Sequence, residues 1–467
     1  MLQIDKLLPK PYYIQIYDYF KHEIESGRMR AGTKLPSMRA LARYTGISKL
    51  TVEKAYFQLA NEGYIVGRRK ARFEAAALSV NKRERAVGQY IKAESGQPPW
   101  KYDFASGDVD LEGFPLILWR RYMHRVLSDP AILLAGQDEQ GAPALREALS
   151  GYMYETRGVH AAADNIIIGN GVTPLLRILG YILRNKHSRI AVEEPGFRLG
   201  REVFRSGGYE IVPLPLRDDG LDVDALAQAD TGLVYVTPSH QFPTGKVMPV
   251  GQRYKLLDWA VQEDGLIIED DYDSELRYEG QPIPALQGLD RSDRVIYLGA
   301  LSKVLPFFVR ISYLVLPDPL VDMYRRERSL FRQSASVPEQ CVLAEYIRSG
   351  EMRKQIRRLR RLYQEKGRKT EYLLQAYFGT AVEVSRVVSG VHCQIALASP
   401  LSETELTEAA KREGCLVLPM ESFYEKHIDN GVRRFLLSFA RIRTDMLEEA
   451  VAALHRAWTA GGVRNNG

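Results

Sequence analysis

Lys303 stands in a short loop between two apolar, β-branched runs, Val295–Leu298 and Ile311–Leu316, with Ser302 before it and Arg310 seven residues after it. A lysine flanked by apolar residues is partly desolvated, and this favours the neutral, nucleophilic amine that forms a Schiff base with a carbonyl. A serine–lysine pair alone is common in loops, so this reading needs a second feature. Leu266–Tyr278 supplies one: the apolar run LII opens into a cluster of carboxylates and tyrosines that contains Asp270 and Tyr272.

Taken together, these side chains match the needs of pyridoxal phosphate. That cofactor requires a lysine for its aldehyde and a carboxylate that keeps its pyridine nitrogen protonated. It also requires a donor near its ring hydroxyl and cationic or hydroxyl groups on its phosphate. Lys303, Asp270, Tyr272, Ser302 and Arg310 provide that set at two strand ends, the usual ligand position in an open α/β sheet.

Further elements must hold the set in place. Arg146–Arg157 reads as an amphipathic helix, Asn165–Ile168 as a strand and Leu175–Leu183 as a helix, with Gly169-Asn170-Gly171-Val172-Thr173 at the junction. Glycines there let backbone N–H groups at a helix N-terminus approach a phosphate, although a lone G-x-G turn is a weak signal. Arg189–Phe197 is a strand followed by a Pro-Gly turn, and Leu233–Gly245 is a strand that runs into a loop. Near the C-terminus Glu351–Leu374 reads as a long basic helix, Val391–Leu397 and Cys415–Leu418 as strands, and Met446–Trp458 as a closing helix.

The N-terminal stretch has a different character. Tyr13, Ile16, Tyr17, Phe20 and Ile24 give Tyr12–Glu25 one apolar helical face, which Gly27 ends. Ser37 caps a second helix that Gly46 closes, and Ser48 caps a third. In the third, Val52, Ala55, Tyr56 and Leu59 face inward while Lys49, Thr51, Lys54 and Gln58 face outward. Tyr64–Val66 and Arg72–Glu74 bracket Gly67-Arg68-Arg69-Lys70 as a two-stranded wing. This is a winged helix-turn-helix, whose third helix enters a major groove while Arg39 and the wing cations meet phosphates.

Charge supports that division. Residues 1–74 carry 14 Lys+Arg against 7 Asp+Glu, so of the net +6 the remaining chain contributes −1. A length of 467 residues implies two or three domains. No apolar run is long enough to span a membrane, and Met1–Lys10 lacks the apolar core of a signal peptide, so a cytoplasmic location is expected. Three cysteines without C-x-x-C spacing indicate neither a disulfide framework nor a metal site.

The segments PYYIQI, ESGRMRAGTKLPSMRALA and GISKLTVEKAYFQLANEGYI resemble the GntR winged-helix regulators, and the rest of the chain resembles the fold-type I aminotransferases. That pairing is similar to the MocR family of bacterial transcription regulators, and the resemblance covers nearly the whole chain. It implies an N-terminal winged helix-turn-helix at 1–74, a linker at 75–101, and an α/β PLP-dependent transferase fold at 102–467 with large and small subdomains, the small one from roughly 321. It places Val172 and Thr173 in the phosphate cup, Phe197 on the cofactor ring, and His240 near the ring hydroxyl, where aminotransferases use an asparagine at the position of Phe242. It adds Ser37, Ser48, Thr51 and Lys70 to Arg39, Lys49, Lys54, Arg68 and Arg69 as DNA-binding residues.

Four departures from these patterns stand out. The wing tip is cationic where GntR wings carry glycines. Ala300 replaces a phosphate-binding hydroxyl, and Ser312 replaces a glycine. In FLLSFA, Leu436 takes the place of the arginine that clamps a substrate α-carboxylate, so aldehyde capture is expected to survive while efficient transamination is not.

The resulting expectation is a PLP-dependent regulator that senses an amino-acid-like or amine effector, or PLP itself. It is expected to act as a head-to-tail homodimer on double-stranded operator DNA with paired half-sites. A true aminotransferase with an accessory N-terminal module is the alternative. A plain DNA-binding protein that has lost the cofactor is a third reading, and the intact set around Lys303 argues against it.

Overall fold

The computed structural model describes residues 2, 4–5, 8, 10–67, 72–77, 100–110, 114–134, 138–280, 283–426 and 431–460. The chain divides into two compact units, Met1–Gly96 and Gln97–Gly467.

In the first unit, helix α1 is Tyr12–Glu25, α2 is Met38–Thr45 and α3 is Lys49–Asn61. Two serines set the starts of α2 and α3: Ser37 Oγ accepts from Ala40 N–H and Ser48 Oγ from Thr51 N–H, each at 3.2 Å. Gly46 stops α2 in the left-handed region at φ 68°, which fixes the turn between the two helices. The apolar faces meet in one core of Ile16, Phe20, Val52, Ala55, Tyr56 and Leu59.

The wing strands are β1 (Ile65–Val66) and β2 (Glu74–Ala75), with Ile65 opposite Ala75 and Val66 opposite Glu74. The second strand thus starts later than the Arg72–Glu74 expected from sequence. Phe73 turns inward, stacks edge-on to Tyr56 at 5.7 Å and lies against Gly67. The tip residues Arg68, Arg69 and Lys70, and residues 78–99 of the expected linker, lie outside the described residues.

The second unit begins with β3 (Tyr102–Asp103) and is built on a sheet of eight strands. These are β4 (Ile166–Gly169), β5 (Arg189–Glu194), β6 (Glu210–Arg217), β7 (Gly220–Leu221), β8 (Leu233–Val236), β9 (Leu266–Asp271), β10 (Val295–Ala300) and β11 (Ser312–Val315). Their order is β4-β11-β10-β9-β8-β5-β6-β7. The central strands β10, β9, β8, β5 and β6 are parallel, while β11 runs antiparallel to both of its neighbours.

The sheet is apolar on both faces, as buried parallel strands are. Ile166 and Ile168 pack into one core and Ile167 into another. Because β11 reverses twice, β4 points the same way as β10. The C-terminal ends of β4, β5, β8, β9 and β10 therefore open on one edge, where Asp270 lies near the end of β9 and from which the loops bearing Gly171, Phe197, His240 and Lys303 leave.

The small subdomain carries an antiparallel sheet of β12 (Val382–Val384), β13 (His392–Ala398), β16 (Val432–Ser438) and β15 (Leu418–Pro419). The long helix runs over Glu351–Phe378 and the closing helix over Leu447–Ala460. The single strand expected over Cys415–Leu418 is two. β14 (Cys415–Leu416) pairs in parallel with β3, whereas Leu418–Pro419 joins β16. Buried Val417 lies between two different partners.

Candidate functional site

Lys303 lies three residues past the end of β10, and its Nζ donates to Gly107 O at 3.0 Å. A Cβ on Gly107 would collide with that nitrogen, so glycine is what allows the chain to cover the lysine so closely. Burial lowers the Lys303 pKa, and nearby Asp273 and Asp108 oppose that shift only in part. The amine is therefore more available for nucleophilic attack than an ordinary lysine.

Asp270 is the last-but-one residue of β9 and pairs with Leu298 of β10. Its Oδ2 accepts from the buried hydroxyl of Tyr235, and its Oδ1 is buried without a partner among the described residues. Burial pushes this carboxyl up to about 7, with Asp271, Asp273 and Glu193 adding to the rise and the Tyr235 hydrogen bond opposing it. The strand's alternation sends the neighbouring Asp271 the other way, into a 2.7 Å ion pair with Arg157. A buried acceptor with an open lone pair suits a protonated ring nitrogen.

Tyr272 lies with its hydroxyl 3.1 Å from His240 Nδ1, and the two rings stack at 6.0 Å. His240 Nδ1 is also 2.8 Å from Asp273 Oδ2. Burial alone would lower the His240 pKa, but the Asp273 charge and hydrogen bond raise it. Gln241, the other polar residue of that loop, is spent on structure: its Nε2 bonds Pro195 O at 2.9 Å and Glu193 Oε2 at 3.2 Å.

A second group lies beside the first. Gly171 has φ 85° and caps the helix Val172–Leu183, which starts three residues earlier than the sequence suggested, so Val172 and Thr173 form its first turn. Arg310 reaches over this turn, and a Cβ on Gly171 would sit 3.3 Å from its Nη2. Arg310 itself adopts φ 37°, a conformation unfavourable for a side chain other than glycine and of the kind stored at binding sites. Its guanidinium lies 4.7 Å from the Phe307 ring centroid. A cavity of about 200 Å³ is lined by Gly171, Thr173, Ser302, Arg310 and Ser312. Free helix N–H groups, hydroxyls and a guanidinium around one hollow suit a phosphate monoester.

Phe197 is the N-cap of the helix Arg198–Ser206; its ring stacks on Tyr235 at 6.4 Å and meets Phe242 edge-on at 6.2 Å. Phe242 in turn lies 5.0 Å from Phe423, 5.6 Å from Tyr272 and 6.3 Å from His392. Leu436, opposite Gln394 in the small sheet, packs with Met420, Phe423, Phe242 and Leu418.

Several of these residues escaped the sequence reading. Tyr235 lies inside a strand, and His392 lies on a distant strand of the small subdomain. Asp273 was visible in the acidic cluster without an assigned role. Gly107 and Asp108 sit in the segment YDFASGDVD, whose proximity to Lys303 only the tertiary fold reveals. The described residues contain no group of three or more His, Cys, Asp or Glu side chains able to hold a metal ion, and no described helix is long and apolar enough to cross a membrane.

In the first unit, Arg39, Lys49 and Lys54 are exposed on α2 and α3. Lys54 Nζ rests 4.0 Å from the Tyr13 ring centroid. The hydroxyls of Ser37 and Ser48 are committed to capping, and Ser48 Oγ and Thr51 Oγ1 share a 2.8 Å hydrogen bond.

Residues 101–454 match the family of class I and II aminotransferases, and residues 12–74 match the gntR family of bacterial regulatory proteins. The chain is similar over 97% of its length to the uncharacterized HTH-type transcriptional regulator YdeL of Bacillus subtilis, at 37% identity and covering 98% of that relative. It is similar over 98% of its length to the probable rhizopine catabolism regulatory protein MocR of Rhizobium meliloti, at 31% identity and 96% coverage of that protein. Among solved structures, its fold is similar to that of LysN, an alpha-aminoadipate aminotransferase of Thermus thermophilus complexed with N-(5'-phosphopyridoxyl)-L-leucine. That match has a TM-score of 0.70 and 24% identity, covering 78% of this chain and 93% of the other.

Proposed function

Because the chain belongs to the MocR-type HTH transcriptional regulators, with a GntR DNA-binding domain and a PLP-dependent aminotransferase-type domain, we propose that its second unit is a sensor in which the Lys303 site receives a small amine-bearing effector and thereby alters how the first unit engages DNA. The observation that carries this reading is the pairing of a complete cofactor set with an apolar wall. Lys303 follows β10, Asp270 lies near the end of the adjacent β9 and Arg310 lines the hollow beside the Gly171 turn, while the resemblance puts Leu436 in the place of a carboxylate clamp.

The residues present fit the cofactor. Asp270 Oδ1 would accept from its ring nitrogen, the Val172 and Thr173 turn with Ser302 and Arg310 would hold its phosphate, and Phe197 would cover its ring. When bound, pyridoxal phosphate supplies an aldehyde that an amine captures and a ring that takes up electrons. The chain does the rest. Burial keeps the Lys303 amine reactive, and Asp270 would keep the ring nitrogen protonated. Tyr272 keeps its phenol proton, because it is held well above the ordinary tyrosine range by burial and then by the Asp273 charge, and His240 Nδ1 lies beside both groups.

The absence of a clamp leaves an amino acid without its main orienting contact, which slows turnover more than it prevents capture. On this reading the protein works as a homodimer in the cytoplasm, and its two winged helices take paired half-sites. Two winged helices held by one dimer make engagement of the second half-site effectively intramolecular. The test is to select an operator from a random duplex pool and measure its affinity for PLP-loaded and PLP-free protein. A change of tenfold or more supports the sensor, and equal affinities overturn it.

A further inference from the structure

The wall of the Lys303 site that faces an incoming ligand narrows what the effector can be; this inference rests on the sensor reading above. A second cavity of the unit is lined by His240, Phe242, Tyr272, His392, Gln394 and Leu436, with Arg386 at its rim. Phe242 and Leu436 share one cluster with Met420, Phe423 and Leu418, and Leu436 is only 3% exposed. Several polar groups near them are engaged, while the buried Ser389 hydroxyl has no partner among the described residues. Gln394 Nε2 donates to Pro243 O at 2.9 Å, Arg386 pairs with Glu279 at 2.7 Å, and Arg441 lies 3.6 Å from both Asp103 and Asp108. His392 is held neutral, its pKa lowered first by burial and then by Lys303 and His240.

A carboxylate brought next to the amine-capturing nitrogen would lose its water against phenylalanine and leucine, while the cations of this cavity already have acidic partners, Arg386 in Glu279 and His240 in Asp273. An apolar substituent in the same place gains from burial. We propose that the effector is a primary amine with an apolar or aromatic substituent and no carboxylate on the carbon that bears the nitrogen.

Calorimetric titration of the PLP-loaded, full-length protein with matched pairs tests this: phenethylamine against phenylalanine, and isoamylamine against leucine. Each amine should bind at least tenfold tighter than its amino acid. Leu436→Arg should close that gap by raising amino-acid affinity about tenfold, and Phe242→Asn should narrow it if the arginine variant does not fold. An amino acid bound as tightly as its amine, or a gap unmoved in the folded variants, overturns this inference alone. Failure of every amine and amino acid to bind overturns the sensor reading as well.

A separate observation concerns the phosphate side. Ala300 and Ser312, which depart from the family pattern at two places far apart in sequence, are direct partners in the β10–β11 register. Opposed residues of an antiparallel pair project from the same face, with Cβ atoms about 5 Å apart. The hydroxyl missing at 300 thus reappears one strand away, on Ser312, which is 2% exposed and lines the hollow with Gly171, Thr173 and Arg310. We infer that Ser312 donates its hydroxyl to the cofactor phosphate in place of residue 300. Equilibrium dialysis should show Ser312→Gly weakening pyridoxal phosphate about tenfold and pyridoxal, which has no phosphate, less than twofold. Adding Ala300→Ser should restore most of the loss. Equal losses for the two ligands, no loss, or no rescue overturns it.

Discussion

The two walls of the Lys303 site differ in kind. On the sheet edge stand Asp270, with an open buried oxygen, and a hollow lined by the Gly171 turn, Thr173, Ser302 and Arg310. On the side of the small subdomain, Phe242, Leu436, Met420 and Phe423 form an apolar cluster. A catalytic transaminase needs both walls polar, one for the cofactor and one for the substrate carboxylate. On the proposed reading, a chain that keeps the first and gives up the second retains the means to capture an amine while losing the means to orient an amino acid. Capture without turnover is what a sensor requires.

The largest test of that contrast removes the amine itself. Borohydride should fix the cofactor covalently to the natural protein and leave Lys303→Ala unlabelled, as read by intact mass; a labelled variant would move the attachment elsewhere. Next is the buried acid. Asp270→Asn removes a charge-assisted hydrogen bond worth about 2 kcal/mol, so cofactor affinity should fall roughly thirtyfold by dialysis. An unchanged affinity would show that the open oxygen does not face the ring nitrogen.

The DNA-binding unit offers a smaller effect. Replacing Arg39 or Lys49 by alanine should reduce the slope of log affinity against log salt by about 1 each if each neutralises one phosphate. Lys54→Ala should reduce it by less, because its nitrogen already rests on Tyr13. Loss of Arg68 and Arg69 together should reduce it by about 2.

The smallest effect is in pH. In cofactor-free protein Asp270 is pushed up to about 7 by burial, so the native state binds more protons than the unfolded chain between the ordinary carboxylate range and that value. Stability therefore falls as pH rises through this window. Glu193, Glu269 and Glu275, also raised to about 7, share in the fall. Asp270→Asn should remove one proton's share, at most about 1.4 kcal/mol per pH unit in chemical denaturation, and an unaltered slope would place the titration on the glutamates.

Much of this was legible in the sequence because it is local. Ser37, Gly46 and Ser48 bound their helices by their own backbone chemistry, and the apolar period of Tyr12–Glu25 names the buried face. Strand ends carrying Asp270 and Lys303 announce themselves by composition. What escaped is non-local. Cys415–Leu416 and Leu418–Pro419 read as one strand because partner choice depends on β3 and β16, far away in the chain. Tyr235 and His392 joined the site only through strand order and subdomain packing, and the link between Ala300 and Ser312 exists only in the register.

The central claim is that the Lys303 site governs DNA binding. Its most direct test measures operator affinity of PLP-loaded natural protein and of Lys303→Ala while an aromatic amine is titrated in. The account predicts a tenfold or larger change for the natural protein and none for the variant. An equal response from both, or no response from the natural protein at saturating amine, would contradict it.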